Sequence, residues 1–191
     1  MVEHWTSLQR APALPVGARL RSAAITVEIP PPRAYVRLQI ARRHIPDIGA
    51  IRIADVSLPT EAGHCVGDDP AAFWMSPEGW LLTSRSVTGP KLQSIAHQGC
   101  VSISAAAVDV SDALVAIELH GPRGRELLAR GCGLDVSTSA LGVGQCVRTR
   151  LAQLAVIVRP VAEDIVELIV DRGPAAWLCD WIEDAATGLD A

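Results

Sequence analysis

The chain of 191 residues has a net charge of −4, with 17 Lys and Arg residues against 21 Asp and Glu residues. This balance gives no electrostatic basis for binding nucleic acid or an anionic membrane surface. Hydrophobic residues make up 49% of the sequence and charged residues only 20%, below the roughly 25% that is usual for soluble domains. The low charge indicates either a composition rich in small apolar residues or a surface that is partly covered by a partner.

The N-terminal part of the sequence differs from the rest. Residues 1–32 predict a lead-in segment, whereas residues 33–191 predict one α+β domain. The lead-in contains the proline triplet Pro30–Pro32, which cannot occupy the interior of a helix or a central strand. Just before the triplet, Ala24–Ile29 is typical of a short strand that ends at the prolines.

Strands and loops follow the lead-in. Ala34–Ala41 alternates apolar and polar side chains, as a half-buried strand does. Residues 46–70 are rich in Pro and Gly and predict a loop with a short strand near Ile51–Ile53. The apolar runs Ala72–Met75 and Trp80–Thr83 flank the sequence Ser-Pro-Glu-Gly. Because that sequence suits a type I turn, the two runs predict a hairpin.

Three Gly-Pro dipeptides each separate a strand from a helix. They are Gly89-Pro90, Gly121-Pro122 and Gly173-Pro174. Proline is favoured in the first turn of a helix, where its missing N–H costs nothing, and the preceding glycine lets the chain turn sharply. The dipeptides therefore predict three helices, which run to about Gln98, Arg130 and Ala186.

Strand-like runs fill the segments between these helices. They are Val101–Ile103, Ala106–Val110, Ala113–His120, Val147–Arg159 and Asp164–Val170. Strands that arrive in neighbouring pairs, with helices between them, indicate an antiparallel sheet with helices packed on it. The sequence therefore predicts an α+β fold built from ferredoxin-like, split β-α-β layers.

The residue types that carry chemistry do not form a recognisable catalytic, cofactor or metal site. The five histidines and five cysteines show no His-x-x-x-His or Cys-x-x-Cys spacing, so no metal site is predicted. The odd number of cysteines predicts free thiols in a reducing cytoplasm. The sequence contains no run of eighteen apolar residues, so no membrane span is predicted.

Three local patterns leave a functional and a structural interpretation open. Cys132 follows a predicted helix, where the helix dipole disfavours a thiolate, and the structural interpretation is favoured. The segment Gly121–Arg125 could bind an anion at a helix start, or it could simply expose its arginines to solvent. Asp109 and Asp112 could form an acid–base pair, although the sequence favours an ordinary turn.

The last predicted helix carries a candidate interface. Trp177 and Trp181 lie four residues apart and share one helix face. Core packing explains most of this arrangement, but large aromatic side chains are also frequent anchors of protein interfaces. The apolar segment Leu151–Val158 is a second candidate for an exposed apolar patch.

Ordered segments over about residues 70–185 resemble the gamma subunit of heterotetrameric sarcosine oxidase. These segments are Phe73–Leu82, Val108–Asp112, His120–Asp135, Gly144–Ala152 and Ala176–Ile182. The resemblance implies a fold similar to the folate-dependent aminomethyltransferase domains of the glycine cleavage type. It also implies an accessory chain, for which the family supplies no catalytic, cofactor-binding or metal-binding residues.

The same resemblance implies partners and cofactors. The chain would assemble with alpha, beta and delta subunits, and those subunits would carry FAD, FMN, NAD, zinc and tetrahydrofolate. The complex would oxidise the N-methyl group of sarcosine and pass the one-carbon unit to tetrahydrofolate. Two alternatives are a subunit of an N-methylglutamate-type dehydrogenase and a stand-alone, folate-binding, aminomethyltransferase-like protein.

Overall fold

The computed structural model describes residues 11–189, which form two large antiparallel sheets with helices on their outer faces. The strands are β1 (Gly17–Arg21), β2 (Thr26–Ile29), β3 (Ala34–Ile40), β4 (Arg52–Ile53), β5 (Val56–Ser57), β6 (Cys65–Gly67), β7 (Ala71–Ser76), β8 (Gly79–Ser84), β9 (Ala105–Asp109), β10 (Leu114–His120), β11 (Val147–Leu151), β12 (Leu154–Ala162) and β13 (Ile165–Asp171). The helices are α1 (Gly89–Gly99), α2 (Gly124–Ala129), α3 (Ala175–Thr187) and a 3₁₀ helix over Arg42–Ala50.

The first large sheet has six strands in the order β1-β2-β10-β13-β12-β11. Its outer face is covered by α2 and α3, and apolar side chains fill the space between them. Ile117 and Leu119 of β10 and Leu168 of β13 alternate with residues that face the other way. On the helix side, Leu178 and Ile182 of α3 complete this core. The alternation follows from the period of two in a strand.

The second large sheet has five strands in the order β6-β7-β8-β3-β9. Val36 and Leu38 of β3 pack on its outer face against Leu92 and Ala96 of α1. A third, two-stranded sheet joins β4 to β5 beside this core.

The inner faces of the two large sheets pack against each other. Tyr35, Phe73 and Leu81 from the five-stranded sheet meet Ile157 and Ile169 from the six-stranded sheet. The fold therefore has four layers, with helices outside and two sheets inside.

Each sheet contains a split β-α-β unit, which confirms the predicted fold class. The chain passes from β8 through α1 to β9, and β3 lies between these two strands. In the other sheet, β10 and β12 lie on either side of β13, and α2 stands between them in the chain. The sequence did not predict that two such sheets stack face to face.

Two predicted strands differ from the structure. Val101–Ile103 is a turn, in which the amide of Ile103 donates a hydrogen bond to the carbonyl of Cys100 at 3.1 Å. Val147–Arg159, predicted as one strand, is the hairpin β11–β12. Its two turn residues, Ala152 and Gln153, have φ values of +49° and +71°. The turn escaped prediction because such turns usually carry Asn or Gly at these positions.

The described part of the predicted lead-in, residues 11–32, adds two strands to the six-stranded sheet. β1 pairs with β2, and β2 pairs with β10 from Thr26 opposite His120 to Glu28 opposite Glu118. The chain then crosses to the other sheet through the proline triplet Pro30–Pro32, which ends β2 as its sequence predicts.

We expect the substitution Gln153→Gly to stabilise the protein. The side chain of Gln153 is exposed, and its backbone has the left-handed conformation. This conformation costs a non-glycine residue about 1 kcal/mol or more of free energy, a cost that glycine does not have. The free energy of unfolding, measured by urea denaturation, should rise by about 1 kcal/mol. The same change at Gln98, an exposed position in the last turn of α1, should lower it by about 0.5 kcal/mol. Equal effects at both positions would contradict the role assigned to the turn.

Candidate functional site

The predicted interface residues of the last helix have different surroundings. α3 packs on the six-stranded sheet through Leu178 and Ile182, which are buried. Trp181 is partly buried and packs against the same core. Its ring covers Gly131 so closely that a Cβ at Gly131 would lie 2.5 Å from Cη2. Trp177, one turn earlier, is 52% exposed. The helix therefore presents Trp177 to solvent and uses Trp181 to close its own core.

Ion pairs hold α3 against the edge of the six-stranded sheet. Arg19 of β1 donates to a carboxylate oxygen of Glu183 at 2.6 Å and to one of Asp180 at 3.0 Å. Because these contacts tie the helix to β1, the exposed face that carries Trp177 has a fixed position on the fold.

The second predicted patch, Leu151–Val158, is not an exposed surface. Leu151, Val156 and Val158 are buried against the outer-face core, and Ile157 is buried between the sheets. The expectation was wrong because the larger apolar side chains of this hairpin point alternately into the outer-face core and into the space between the sheets, which leaves Gln153 and Ala155 at the surface.

The arginine-rich segment at α2 holds other parts of the chain. Arg125 donates to the carbonyl oxygens of Val136 at 2.6 Å and Leu141 at 2.9 Å. Arg123 donates to both carboxylate oxygens of Glu126 at 2.7 Å and also to the carbonyl of Leu189. Arg125 therefore fits neither interpretation of this segment. It is only partly exposed to solvent and is not free for an anion, because it binds the carbonyl groups of the loop after α2.

The other candidate residues have structural surroundings. Asp109 accepts hydrogen bonds from the amide and the hydroxyl of Ser111, at 2.9 and 2.5 Å, which is the turn favoured by the sequence. The sulfur of Cys132 is half-buried and lies 3.7 Å from the hydroxyl of Thr149. Within residues 11–189, no group of three or more His, Cys, Asp and Glu side chains could hold a metal ion. No helix in the same residues is long and apolar enough to cross a membrane.

A row of charged side chains lies on the inner face of the six-stranded sheet, with Glu167 and Arg159 buried and Glu28 partly exposed. Strand register places Glu28, Glu118, Glu167 and Arg159 directly opposite one another across four strands. Arg33, just before β3, donates to the carboxylates of both Glu118 and Glu167. Buried charges are tolerated only when they are paired in this way. The sequence did not reveal the row, because its members are far apart in the chain and meet only through the register.

Contacts of Arg159 join this row to the other sheet. Its guanidinium lies 3.5 Å from a carboxylate oxygen of Glu167 and 5.1 Å from the ring centre of Phe73 in β7. It also donates to the carbonyl of Gly67 at 3.4 Å. Burial raises the pKa of Glu167 above its usual range, although Arg33 and Arg159 oppose this shift. Arg33 and Arg159 of this group therefore link the two sheets at one end, and the buried charges pair with one another within the protein.

Two cysteines are neighbours beside this row. Cys65 and Cys146 lie in the cluster between the sheets, and all five cysteines of the chain are free thiols. The hydrogen bond from Cys146 lowers the pKa of Cys65 to about 7, and the guanidinium of Arg159 acts in the same direction. The same hydrogen bond and burial raise the pKa of Cys146 above its usual range.

Of the two buried thiols Cys65 and Cys179, we expect Cys65 to be alkylated at the lower pH. Its thiolate fraction should fall only below about pH 7, its depressed pKa, whereas the Cys179 thiolate forms only near its raised pKa of about 11. Peptide mass analysis after brief alkylation across a pH series measures this order, and Cys65→Ser is the control. Under denaturing conditions, all five thiols should react without reductant. Two thiols that react only after reduction would show a native disulfide and contradict the prediction.

Comparison with known proteins agrees with this fold. The family model described as Sarcosine oxidase, gamma subunit family matches residues 50–188, from the end of the 3₁₀ helix through α3. The chain belongs to the sarcosine oxidase gamma subunit family. The match confirms the resemblance found in the sequence. It covers the segments β8-α1-β9 and β10-α2-β12 of the two split β-α-β units.

Individual members of the sarcosine oxidase gamma subunit family are distant in sequence but similar in length. Sarcosine oxidase subunit gamma from Corynebacterium sp. (strain U-96) is 23% identical over 97% of this chain and 94% of its own length. The subunit from Arthrobacter sp. is 22% identical over 95% of this chain and 94% of its own length.

Solved structures share the fold of this family member. The heterotetrameric sarcosine oxidase from Corynebacterium sp. U-96, in complex with pyrrole 2-carboxylate, contains a chain that matches with a TM-score of 0.78. The match covers 87% of this chain and 86% of that chain at 20% identity. Glycine cleavage system aminomethyltransferase T from Bartonella henselae matches with a TM-score of 0.58 at 13% identity, over 78% of this chain and 43% of that chain. The implied similarity to aminomethyltransferases is thus a similarity of fold.

Proposed function

We propose that this chain is a non-catalytic, accessory subunit of a heterotetrameric, flavin-dependent sarcosine oxidase complex. The observation that carries the proposal is the family match over residues 50–188. The two curated relatives support it, because the chain covers 94% of the length of each. It covers only 43% of the aminomethyltransferase of similar fold, and no specific observation favours that second function.

In the proposed complex, chemistry takes place on the other subunits. The alpha, beta and delta subunits hold FAD, FMN, NAD, zinc and tetrahydrofolate, and sarcosine is oxidised at its N-methyl group in the cytoplasm. The one-carbon unit then passes to tetrahydrofolate. The interior of this chain supports an accessory role, because its buried charged groups Arg33, Glu118, Glu167 and Arg159 are bound to one another. A buried polar network whose members are paired in this way rigidifies the core.

The contact surface of the subunit is proposed to include Trp177. A side chain of this size, 52% exposed on a helix held by Arg19, suits the role of an interface anchor. The low charged content of the chain, 20%, agrees with a surface that is partly covered by other subunits.

The proposal is tested by expressing the chain alone and together with the alpha, beta and delta subunits. Alone, it should bind no flavin, oxidise no amine and self-associate on size-exclusion chromatography, because its apolar contact surface is uncovered. With its partners, it should elute in one defined complex that oxidises sarcosine. Parallel assays with N-methylglutamate decide between the two substrate classes. A yellow, amine-oxidising monomer of this chain alone would refute the accessory role.

The contribution of Trp177 is tested by the substitution Trp177→Ala. We expect the dissociation constant for the partner subunits to rise about tenfold or more, as for an interface anchor. The urea midpoint should change little, since the side chain is exposed. Val101→Ala removes another highly exposed apolar side chain and is the matched control. If the wild type and Trp177→Ala bind the partner subunits equally well, Trp177 is not part of the interface.

A further inference from the structure

The two sheets are packed at one end and open at the other. On the inner face of β3, Tyr35 is buried, whereas Arg37 two residues later is exposed. On the inner face of β13, Glu167 is buried, whereas Asp171 is exposed. The inner face of β12 changes in the same way towards Ala155, which is exposed. Because inner-face residues become exposed along all three strands, the sheets separate into a cleft.

The open end of the sheets encloses a cavity of about 260 Å³. Leu81 from one sheet and Ile157 and Ile169 from the other form its apolar floor, and all three are buried. Arg37 lines one wall from the five-stranded sheet, and Arg148 lines the opposite wall from the edge strand β11. The cleft thus combines an apolar floor with a cationic side chain on each wall.

The two arginines in the cleft have no counter-ion among the residues that the structure describes. Among residues 11–189, neither guanidinium forms an ion pair or a hydrogen bond with another side chain or carbonyl. Asp171 also lines the cavity but is not within ion-pair distance of either arginine. Arg150, two residues beyond Arg148 on the same face of β11, is exposed and adds positive charge beside the cleft. Together, the three arginines outweigh the charge of Asp171, so the cleft is net positive, and its low-dielectric walls focus this field on an anion.

We propose that this cleft receives an acidic segment of a partner subunit, with a carboxylate between Arg37 and Arg148 and an apolar side chain on the floor. The inference rests on the proposed function as a subunit and names one of its contacts. The cavity is smaller than the roughly 300–1,000 Å³ of small-molecule and cofactor sites, and it suits side chains better than a nucleotide or a flavin. The outer edge of β11 lies next to the cleft and is unpaired from Val147 to Arg150 within residues 11–189. It could accept main-chain hydrogen bonds from an extended partner segment.

The test reverses both charges with the double substitution Arg37→Glu and Arg148→Glu in the full chain. Its dissociation constant for the assembled partner subunits should rise about tenfold or more, because two favourable charge contacts become repulsive. Lys91→Glu is the matched control, since it reverses an exposed charge on α1, beyond the outer face of the five-stranded sheet. It should leave the dissociation constant within about twofold of the wild-type value. Added salt should weaken binding of the wild type more than binding of the double variant.

Each outcome bears on the proposal. A milder double variant, Arg37→Gln with Arg148→Gln, is measured beside the charge reversal. If both double variants bind the partner subunits as tightly as the wild type, the cleft is not a contact and the proposal is overturned. A wild type that binds no partner subunit would instead overturn the proposed function on which the inference rests. The other possible occupant of the cleft is a small free anion. Calorimetry on the free chain with glutarate, a small dicarboxylate, tests this alternative. Glutarate binding that is lost in the double variant, with assembly unchanged, would assign the cleft to a small anion and overturn the proposal.

Discussion

Replacing Glu167 with Ala is expected to lower the free energy of unfolding by about 3–5 kcal/mol. The side chain of Glu167 is fully buried and pairs with Arg33 and Arg159, so its removal leaves Arg159 without a carboxylate and Arg33 with Glu118 alone. Urea denaturation followed by circular dichroism measures the change. Glu163→Ala, which removes an exposed carboxylate close by in the chain, should change the free energy by no more than about 0.5 kcal/mol.

A second substitution separates the loss of the ion pair from general damage to the core. Arg33 donates to both Glu167 and Glu118, so the variant Arg33→Ala combined with Glu167→Ala removes one cation and one anion together. If the pair is coupled, the double variant should be less destabilised than the sum of the single variants. Strict additivity would mean that the row of charges contributes through packing alone.

Replacing Trp181 with Ala is expected to lower the free energy of unfolding by about 3 kcal/mol, the lower end of the range for a core Trp. Its ring packs against the outer-face core and covers Gly131, so the smaller side chain leaves a cavity between α3 and the loop after α2. Trp177→Ala is the matched control, because it removes the same side chain one turn away from a position that is 52% exposed.

Thermal and urea unfolding of the two Trp variants measure this difference directly. A stable Trp181→Ala variant that loses only its partner subunits would place Trp181 at the interface instead of in the core. Equal destabilisation by both substitutions would contradict the different surroundings of the two side chains.

The sequence predicted those elements whose signals are local. The three Gly-Pro dipeptides stand at helix starts in the structure, because proline and glycine restrict the backbone locally. Gly89-Pro90 opens α1, whereas Pro122 and Pro174 lie just before α2 and α3. β3 was also predicted, since its outer-face residues alternate with residues that face the other sheet. Val101–Ile103 misled because its residues are apolar and strand-like, yet Val101 is 86% exposed in a turn.

Features that depend on distant pairing were not predictable from one sequence. The row from Glu28 to Arg159 requires the register of four strands, and the cleft requires two sheets whose stacking no local pattern indicates. For the candidate interface, helical spacing put Trp177 and Trp181 on one face. The two side chains differ in burial because Gly131, which has no Cβ, leaves room for the ring of Trp181 against the core.

The order of strands has a consequence for how the protein is made. All strands of the five-stranded sheet lie between residues 34 and 109, so that sheet can form before β10 to β13 have left the ribosome. β1 and β2 are synthesised earlier, but β2 must wait for β10, and β10 in turn for β13 at Ile165–Asp171. Long-range pairing of this kind is slow and leaves apolar strands uncovered during synthesis. The nascent chain therefore carries β1 and β2 apart from the rest of their sheet at least until β10 has been made, a period in which a chaperone or an already folded partner subunit could shield them.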